Sequence, residues 1–129
     1  TYGDVVTNGA AFLRDRAAAA VHRGIEASRI VVDPGIGFGK TFGHNLSLLG
    51  RLDELAAERP VLVGTSRKGF LGTILEQAGR PSTPVDRDTA TAATVALAVA
   101  AGAAVVRVHN AASAVDAART ADAIVRVHE

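Results

Sequence analysis

Three short, largely apolar runs constrain this sequence most, because each lies between two segments that have helical periodicity. The runs are residues 30–32, 61–63 and 104–108. Continuous apolar runs of this length are typical of strands that are buried on both faces, as in a parallel sheet. The predicted order αβαβαβα therefore indicates parallel strands that are joined by right-handed helical crossovers.

Helical spacing of apolar residues predicts the helices between these strands. The first covers 4–23 and ends before Gly24, and a leucine stripe predicts the second, with Asn45 as its N-cap. The other predicted helices are 66–77 with Ser66 as N-cap, 88–101 starting at Asp88 or Thr89, and 113–127. The segment 79–87 is rich in turn formers and is predicted to be a mobile loop.

Two α/β architectures are compatible with this order: a doubly wound sheet and part of a (βα)8 TIM barrel. Three strands alone would leave two apolar edges open to aggregation. A whole barrel takes about 250 residues, whereas this chain has 129. We therefore expect the C-terminal part of a barrel, with about three strands and at least four helices. The absence of methionine, even at residue 1, indicates a processed chain or a piece of a longer one.

Composition excludes several function classes. With 48% hydrophobic and 21% charged residues, the chain is predicted to be globular and soluble. It has no cysteine, which excludes disulfides, thiolate metal sites and cysteine nucleophiles. A net charge of +1 and 4% aromatic residues argue against nucleic-acid binding. No bilayer-spanning apolar run or signal peptide is recognisable, so we expect a cytoplasmic protein without a membrane partner.

A glycine-rich segment follows the first predicted strand, at the edge where parallel sheets bind ligands. Residues 33–41 read Asp-Pro-Gly-Ile-Gly-Phe-Gly-Lys-Thr. The glycines have neither the spacing of a phosphate-binding loop nor that of a dinucleotide-binding fingerprint. Asp33 either bonds to its own turn or accepts hydrogen bonds from the N–H groups of a ligand. In the second case the glycines allow close approach, and Phe38 offers a flat apolar wall.

Two cations follow the second predicted strand, in the sequence Gly-Thr-Ser-Arg-Lys-Gly-Phe at 64–70. Arg67 and Lys68 would lie at the N-terminus of a helix, where the helix dipole disfavours positive charge. An anion that docks on the free N–H groups would make both cations favourable there. Alternatively, both side chains extend into solvent.

Arg107 and His109 end the third predicted strand and share one face, because side chains alternate along a strand. A buried arginine needs a partner. That partner is either an oxyanion such as phosphate or a structural carboxylate, Asp33 or Asp88. No metal-ligating cluster is recognisable, and the remaining histidines are predicted to lie on the surface: His22, His44 and His128.

Together these segments resemble the dihydropteroate synthase family, the folate-pathway transferases that sulfonamides target. Segments 33–41, 64–72 and 107–109 are similar to the motifs that follow the sixth, seventh and eighth barrel strands of that family. The resemblance implies that 1–129 is the C-terminal portion of a single pterin-binding barrel domain whose N-terminal half is absent. It also implies condensation of 6-hydroxymethyl-7,8-dihydropterin diphosphate with 4-aminobenzoate, which gives 7,8-dihydropteroate and diphosphate.

The resemblance further implies substrate-binding roles for six residues: Asp33, Phe38, Gly64, Lys68, Arg107 and His109. Asp33 would hold the pterin ring, which would lie over Gly64. The aminobenzoate ring would pack on Phe38, and Lys68 would contact the pterin and border the aminobenzoate pocket. Arg107 and His109 would bind the diphosphate. No catalytic residue is assigned, because positioning and charge stabilisation would account for most of the rate.

Other implications concern the parts that this chain does not supply. Mg²⁺ is the implied cofactor, with its ligand expected in the absent half, and the full-length parent is expected to be a homodimer. Two positions depart from the family pattern: Gly69 stands where many members have Ser, and Asn110 where many have Asp. The isolated chain is expected to be inactive or nearly so.

Two other interpretations stay open. One is the pterin-binding barrel of a folate-dependent methyltransferase, which shares the fold. A methylfolate substrate would not need the cations of 66–68 or Arg107, because it carries no diphosphate. The other is a non-catalytic fragment, or a scaffold half that assembles with another polypeptide.

Overall fold

The computed structural model describes residues 4–127, so the predicted surface residue His128 lies outside the described part of the chain. Helices dominate the described residues. The α-helices are α1 (Val5–His22), α2 (Phe42–Gly50), α3 (Leu52–Ala56), α4 (Gly69–Gln77), α5 (Asp88–Ala100) and α6 (Ala111–Arg126). The strands are β1 (Leu62–Val63) and β2 (Val105–Val106), and short 3₁₀ helices cover Ala27–Arg29 and Pro84–Arg87.

The sheet is parallel, as the alternation of strands and helices predicts. β1 pairs with β2, and Val63 lies opposite Val106. The first predicted strand is reduced to a parallel bridge between Val32 and Val61. β1 therefore lies in the middle, and the three strand segments follow one another across the sheet in chain order.

Only one face of this sheet is covered by helices within residues 4–127. Val32, Val61 and Val63 are buried in a core that leucines of α2 and α3 complete. On the opposite face, Val31 is 49% exposed and Val105 is 43% exposed. The prediction that the strands are buried on both faces is therefore wrong for this part of the chain, because all the packed helices lie on the same side.

The helix α2 begins earlier than predicted. Thr41 is its N-cap, and the Thr41 side chain accepts a hydrogen bond from the His44 N–H. The prediction of Asn45 as N-cap is wrong, because Asn45 lies inside the first turn and is buried. Its Oδ1 instead accepts from the Gly37 N–H at 2.8 Å. The helix thus supports the glycine-rich loop that precedes it.

Other helix ends confirm or correct the predicted boundaries. Asp4 caps α1, and Gly24, with φ +103°, follows its end. The prediction of Ser66 as N-cap of α4 is wrong, since Lys68 occupies that position and offers no side-chain hydrogen bond. Asn110 caps α6, which begins two residues before the predicted start.

The predicted loop 79–87 contains the 3₁₀ helix Pro84–Arg87, in which Thr83 and Asp86 form a capping box. Arg87 fastens this segment by donating to Ser82 and to the Arg67 carbonyl. The mobility of the loop stays a prediction. No helix within the described range 4–127 is both long enough and apolar enough to cross a membrane.

Candidate functional site

Asp33, Gly64 and Arg107 lie at the carboxyl ends of neighbouring strand segments. Since side chains alternate along each strand and the strands are parallel, all three positions belong to the uncovered face of the sheet. The Arg107 Nη1 lies 3.9 Å from the Asp33 Oδ2. Of the two carboxylates that the sequence offers to Arg107, Asp33 is therefore the partner.

Gly64 allows the Arg107 guanidinium to lie against the backbone at the end of β1. A Cβ added at Gly64 would lie only 2.6 Å from the Arg107 Nη2. The ends of β1 and β2 are joined here by a 3.0 Å hydrogen bond from the Arg107 N–H to the Val63 carbonyl. Any side chain at position 64 would therefore have to displace the guanidinium from this place.

The glycine-rich loop is closed by its own residues. The Asp33 Oδ1 accepts from the Gly35 N–H at 2.8 Å, so the turn-bonding interpretation of Asp33 is confirmed. Its Oδ2 points towards Arg107. The Lys40 ammonium donates to the Gly35 and Phe38 carbonyls at 2.9 and 3.2 Å. Asp33 thus has one oxygen engaged in the loop and one at the sheet edge.

Lys68 reaches from the start of α4 across this loop. Its ammonium donates to the Ile36 carbonyl and lies 4.4 Å from the centre of the Phe38 ring, a cation–π contact. A Cβ at Gly37, whose φ is +87°, would lie 2.8 Å from the Lys68 Cδ. A larger residue at position 37 would be both strained and in contact with the Lys68 stem.

The pKa of Lys68 is affected by two other candidate site residues, Arg107 and Asp33. Burial lowers the pKa of the Lys68 ammonium, and the neighbouring charge of Arg107 lowers it further, whereas Asp33 acts in the opposite direction. Residues 33, 68 and 107, which come from three separate segments, are therefore close enough to interact. Phe38, beside them, is 64% exposed and offers an open ring face.

Arg67 takes neither of its two predicted positions. It forms a bidentate ion pair with Asp88, with distances of 2.8 and 3.1 Å. The Arg67 guanidinium holds the pKa of the Asp88 carboxyl below its usual range. Arg67 also has a positive φ of 59°, which its N–H bond to Thr91 and the bond from Arg87 to its carbonyl maintain. Arg67 anchors the start of α4 to α5.

His109 is held by a residue that the sequence patterns place in another role. The Ser66 Oγ lies 2.7 Å from the His109 Nδ1 and accepts from the His109 backbone N–H at 3.0 Å. No sequence signal marks this pair, since its members are 43 residues apart. Of the other described histidines, His22 is exposed and His44 is half-buried.

Two clefts of different character meet at Lys68. One, of about 210 Å³, is lined by Gly64, Ser66, Lys68, Arg107, Val108 and His109. The other, of about 430 Å³, has Phe38, Phe42 and Phe70 in its wall, together with Lys68 and Gly69. The first presents two cations and an imidazole, and suits an anion. The second presents aromatic surface beside two lysines, Lys40 and Lys68, and suits an aromatic acid.

The family model described as pterin binding enzyme matches residues 1–109. The chain belongs to the pterin-binding enzyme family. It is 45% identical over 124 residues to the dihydropteroate synthase of Mycobacterium leprae, an alignment that covers 95% of this chain and 44% of that protein. The predicted family resemblance is thereby confirmed.

Solved structures extend the likeness to the fold. Yersinia pestis dihydropteroate synthase with a sulfonamide drug complex has a TM-score of 0.90 and 34% identity, over 100% of this chain and 45% of that one. Xanthomonas albilineans dihydropteroate synthase in complex with 7,8-dihydropteroate has a TM-score of 0.86 and 40% identity. That match covers 96% of this chain and 46% of the other one. The predicted fold class, part of a (βα)8 barrel, is confirmed.

This member of the family spans only part of the proteins that it matches. It covers 24% of the length of a mitochondrial folate synthesis bifunctional protein of Arabidopsis thaliana and 44% of the M. leprae enzyme. The uncovered face of the sheet is consistent with a partial barrel, because in a closed barrel the other strands would enclose that face.

Proposed function

We propose that this chain supplies part of the active site of a dihydropteroate synthase. The reaction is the condensation of 6-hydroxymethyl-7,8-dihydropterin diphosphate with 4-aminobenzoate to 7,8-dihydropteroate and diphosphate in folate biosynthesis. The observation that carries the proposal is the meeting of a cationic and an aromatic cleft at Lys68. The names of the relatives, and the 7,8-dihydropteroate in one similar structure, support the same reaction.

The cationic cleft would bind the diphosphate. Arg107 and His109 would hydrogen-bond its oxygens, and Asp33 would accept from the N–H groups of the pterin with the oxygen that faces Arg107. The C–O bond to the diphosphate breaks and a bond forms between the methylene carbon and the amine nitrogen, which then loses a proton. Fixed cations stabilise the charge that develops on the departing group.

The aromatic cleft would bind 4-aminobenzoate. Phe38 offers a ring face, and the α4 N-terminus offers backbone N–H groups beside the Lys68 ammonium. A Cβ at Gly69 would meet no atom within 4 Å, so the space beside the carboxylate is open where many relatives are expected to carry a serine. Carboxylate binding here would depend on backbone N–H groups and Lys68.

Several wider expectations accompany this proposal. Residues 1–129 would form the C-terminal portion of a barrel domain, and the complete protein would be a cytoplasmic homodimer and a sulfonamide target. Among residues 4–127, no group of three or more His, Asp or Glu side chains could hold a metal ion. The ligand of the expected Mg²⁺ would instead lie in the N-terminal half of the barrel, as the family resemblance implies.

The proposal is tested in a longer polypeptide, in which this chain is joined to the other strands of the barrel. Arg107→Ala is the test variant, and Arg16→Ala on α1 is the charge-matched control. Arg107→Ala should weaken binding of the pterin diphosphate about tenfold or more, the effect of losing a charge-assisted hydrogen bond. Binding of the free pterin alcohol should be nearly unchanged. Calorimetric titration with both ligands measures the difference, and equal losses for the two would contradict the anion role of Arg107.

The same titration separates the other interpretations. A methylfolate-dependent barrel would bind the diphosphate ester no better than the alcohol. A non-catalytic scaffold would release no diphosphate when 4-aminobenzoate is added. Tight binding together with diphosphate release supports the synthase.

A further inference from the structure

We propose that Ser66 is a positioning residue that fixes the ring of His109, so that the imidazole always presents an Nε2–H donor to the cationic cleft. The effect on diphosphate rests on the proposed function. The hydrogen-bond arrangement does not, because it concerns only residues of this chain.

The sheet register brings the two residues together. Val63 lies opposite Val106 in the parallel pair, and Ser66 and His109 each follow three residues later. Ser66 is only 7% exposed and lies in the wall of the cationic cleft. Its Oγ contacts His109 twice, at the ring Nδ1 and at the backbone N–H. The backbone contact holds the Oγ beside the His109 main chain, and the Nδ1 contact orients the ring towards that oxygen.

A proton count favours one tautomer of the neutral ring. A serine hydroxyl has one proton and two lone pairs. One lone pair accepts from the His109 N–H, and among residues 4–127 the acceptor that the hydroxyl faces is the His109 Nδ1. Donation to Nδ1 leaves the hydrogen of the neutral imidazole on Nε2. If the ring gains a proton, the hydroxyl turns and accepts from Nδ1–H with its second lone pair. Nε2 carries a hydrogen in both states.

This arrangement matters for the cleft that the ring lines with Gly64, Lys68 and Arg107. An Nε2–H donates to a phosphate oxygen, whereas a bare Nε2 lone pair repels it. A donor that is in place before the diphosphate departs needs no reorganisation during the reaction. Without Ser66, the neutral ring would divide between its two tautomers and lose its fixed orientation.

The first experiment is a long-range ¹H–¹⁵N NMR spectrum of the chain labelled with [¹⁵N]histidine, with His109→Gln to assign the signal. The wild-type His109 should be in the Nε2–H form at a pH where the ring is neutral. Ser66→Ala should give a mixture of tautomers, whereas Ser66→Thr, which retains a hydroxyl, and Ser47→Ala, at an exposed position on α2, should not. A wild-type ring with its hydrogen on Nδ1, or an unchanged spectrum in Ser66→Ala, would overturn the proposal. If Ser66→Ala does not fold, the wild-type and Ser66→Thr spectra still decide.

The second experiment measures binding in the longer polypeptide that contains all strands of the barrel. Ser66→Ala should weaken binding of the pterin diphosphate about tenfold, the effect of one hydrogen bond to a charged group, and leave the KM for 4-aminobenzoate unchanged. Ser66→Thr should restore the affinity. An altered tautomer with unaltered diphosphate affinity would remove the proposed role in binding. Loss of affinity for both ligands would show general damage to the site and would also contradict it.

Discussion

Gly64 and Gly37 each make room for a cation of the candidate site. The Arg107 guanidinium lies against the first and the Lys68 stem against the second. Position 37 also needs a left-handed backbone, since its φ is +87°, whereas position 64 has an ordinary backbone. A substitution at Gly64 therefore acts through space alone, which makes it the cleaner test of the Arg107 position.

We predict that Gly64→Ala moves the guanidinium without unfolding the chain. The new methyl group would lie 2.6 Å from Nη2, and the Arg107 side chain, 57% exposed, can turn into solvent. Affinity for inorganic diphosphate should fall about tenfold, and the free energy of unfolding should change by less than about 1 kcal/mol. Titration calorimetry and urea denaturation measure the two quantities.

Gly50→Ala is the matched control, since a Cβ there meets nothing within 4 Å. It should leave diphosphate affinity unchanged. If Gly64→Ala also leaves it unchanged, Arg107 does not bind the anion from the position seen here.

At the scale of single elements, the start of α2 links the glycine-rich loop to the core. Thr41 ends the loop and caps the helix, and one turn later Asn45 reaches back to the Gly37 N–H. The buried Leu48 follows on the same helix. The Thr41 cap fixes where α2 begins, and it thereby fixes where Asn45 lies relative to the Gly37 N–H.

We predict that Thr41→Ala destabilises the chain by about 1 kcal/mol, the usual effect of losing an N-cap side chain. The His44 N–H would lose its partner, and α2 would fray at the end that carries Asn45. Urea denaturation followed by circular dichroism gives the change in free energy. Thr41→Ser should restore most of it, and a loss of equal size in Thr41→Ser would show that the methyl group, rather than the hydroxyl, is responsible.

At the scale of the whole molecule, two ion pairs join helices that are separate in sequence. Asp4 at the start of α1 pairs with Arg51 between α2 and α3, and Arg67 before α4 pairs with Asp88 of α5. The arginine partners hold the pKa values of both carboxyl groups below their usual range. Each carboxylate therefore contributes stability that depends on pH.

We predict that stability falls as the pH drops into the acid range. Because the folded-state pKa values are lowered, the contribution is fully present above the unfolded value of about 3.9 and is lost as the pH falls through the folded values. The urea midpoint should be lower at pH 3 than at pH 7. Asp88→Asn should lower the midpoint at pH 7 and reduce the difference between the two pH values.

Asp4→Asn should act in the same direction with a smaller effect, since the Asp4 side chain is more exposed and solvent screens its ion pair. Asp116→Asn, an exposed position on α6, is the control. A pH dependence that is the same in all three variants would mean that other groups are responsible.

The sequence by itself determined the alternation of strands and helices, the parallel pairing and the residues at the strand ends. These features follow from local chemistry: apolar runs form strands, glycines end helices, and β-branched residues favour extended backbone. The motifs of 33–41, 64–72 and 107–109 also identified the family, since their residue types and order are specific. The convergence of Asp33, Lys68 and Arg107 followed from topology, because parallel strands end at one edge.

Only the tertiary structure decided which side chains pair. Arg67 meets Asp88 across 21 residues, and Ser66 meets His109 across 43. Asn45 supports Gly37 instead of capping its own helix. These contacts depend on strand register and on how helices lie against the sheet, which place together residues that share no local pattern. The same packing leaves Val31 and Val105 uncovered, because burial depends on what lies opposite a strand and not on the strand's own residues.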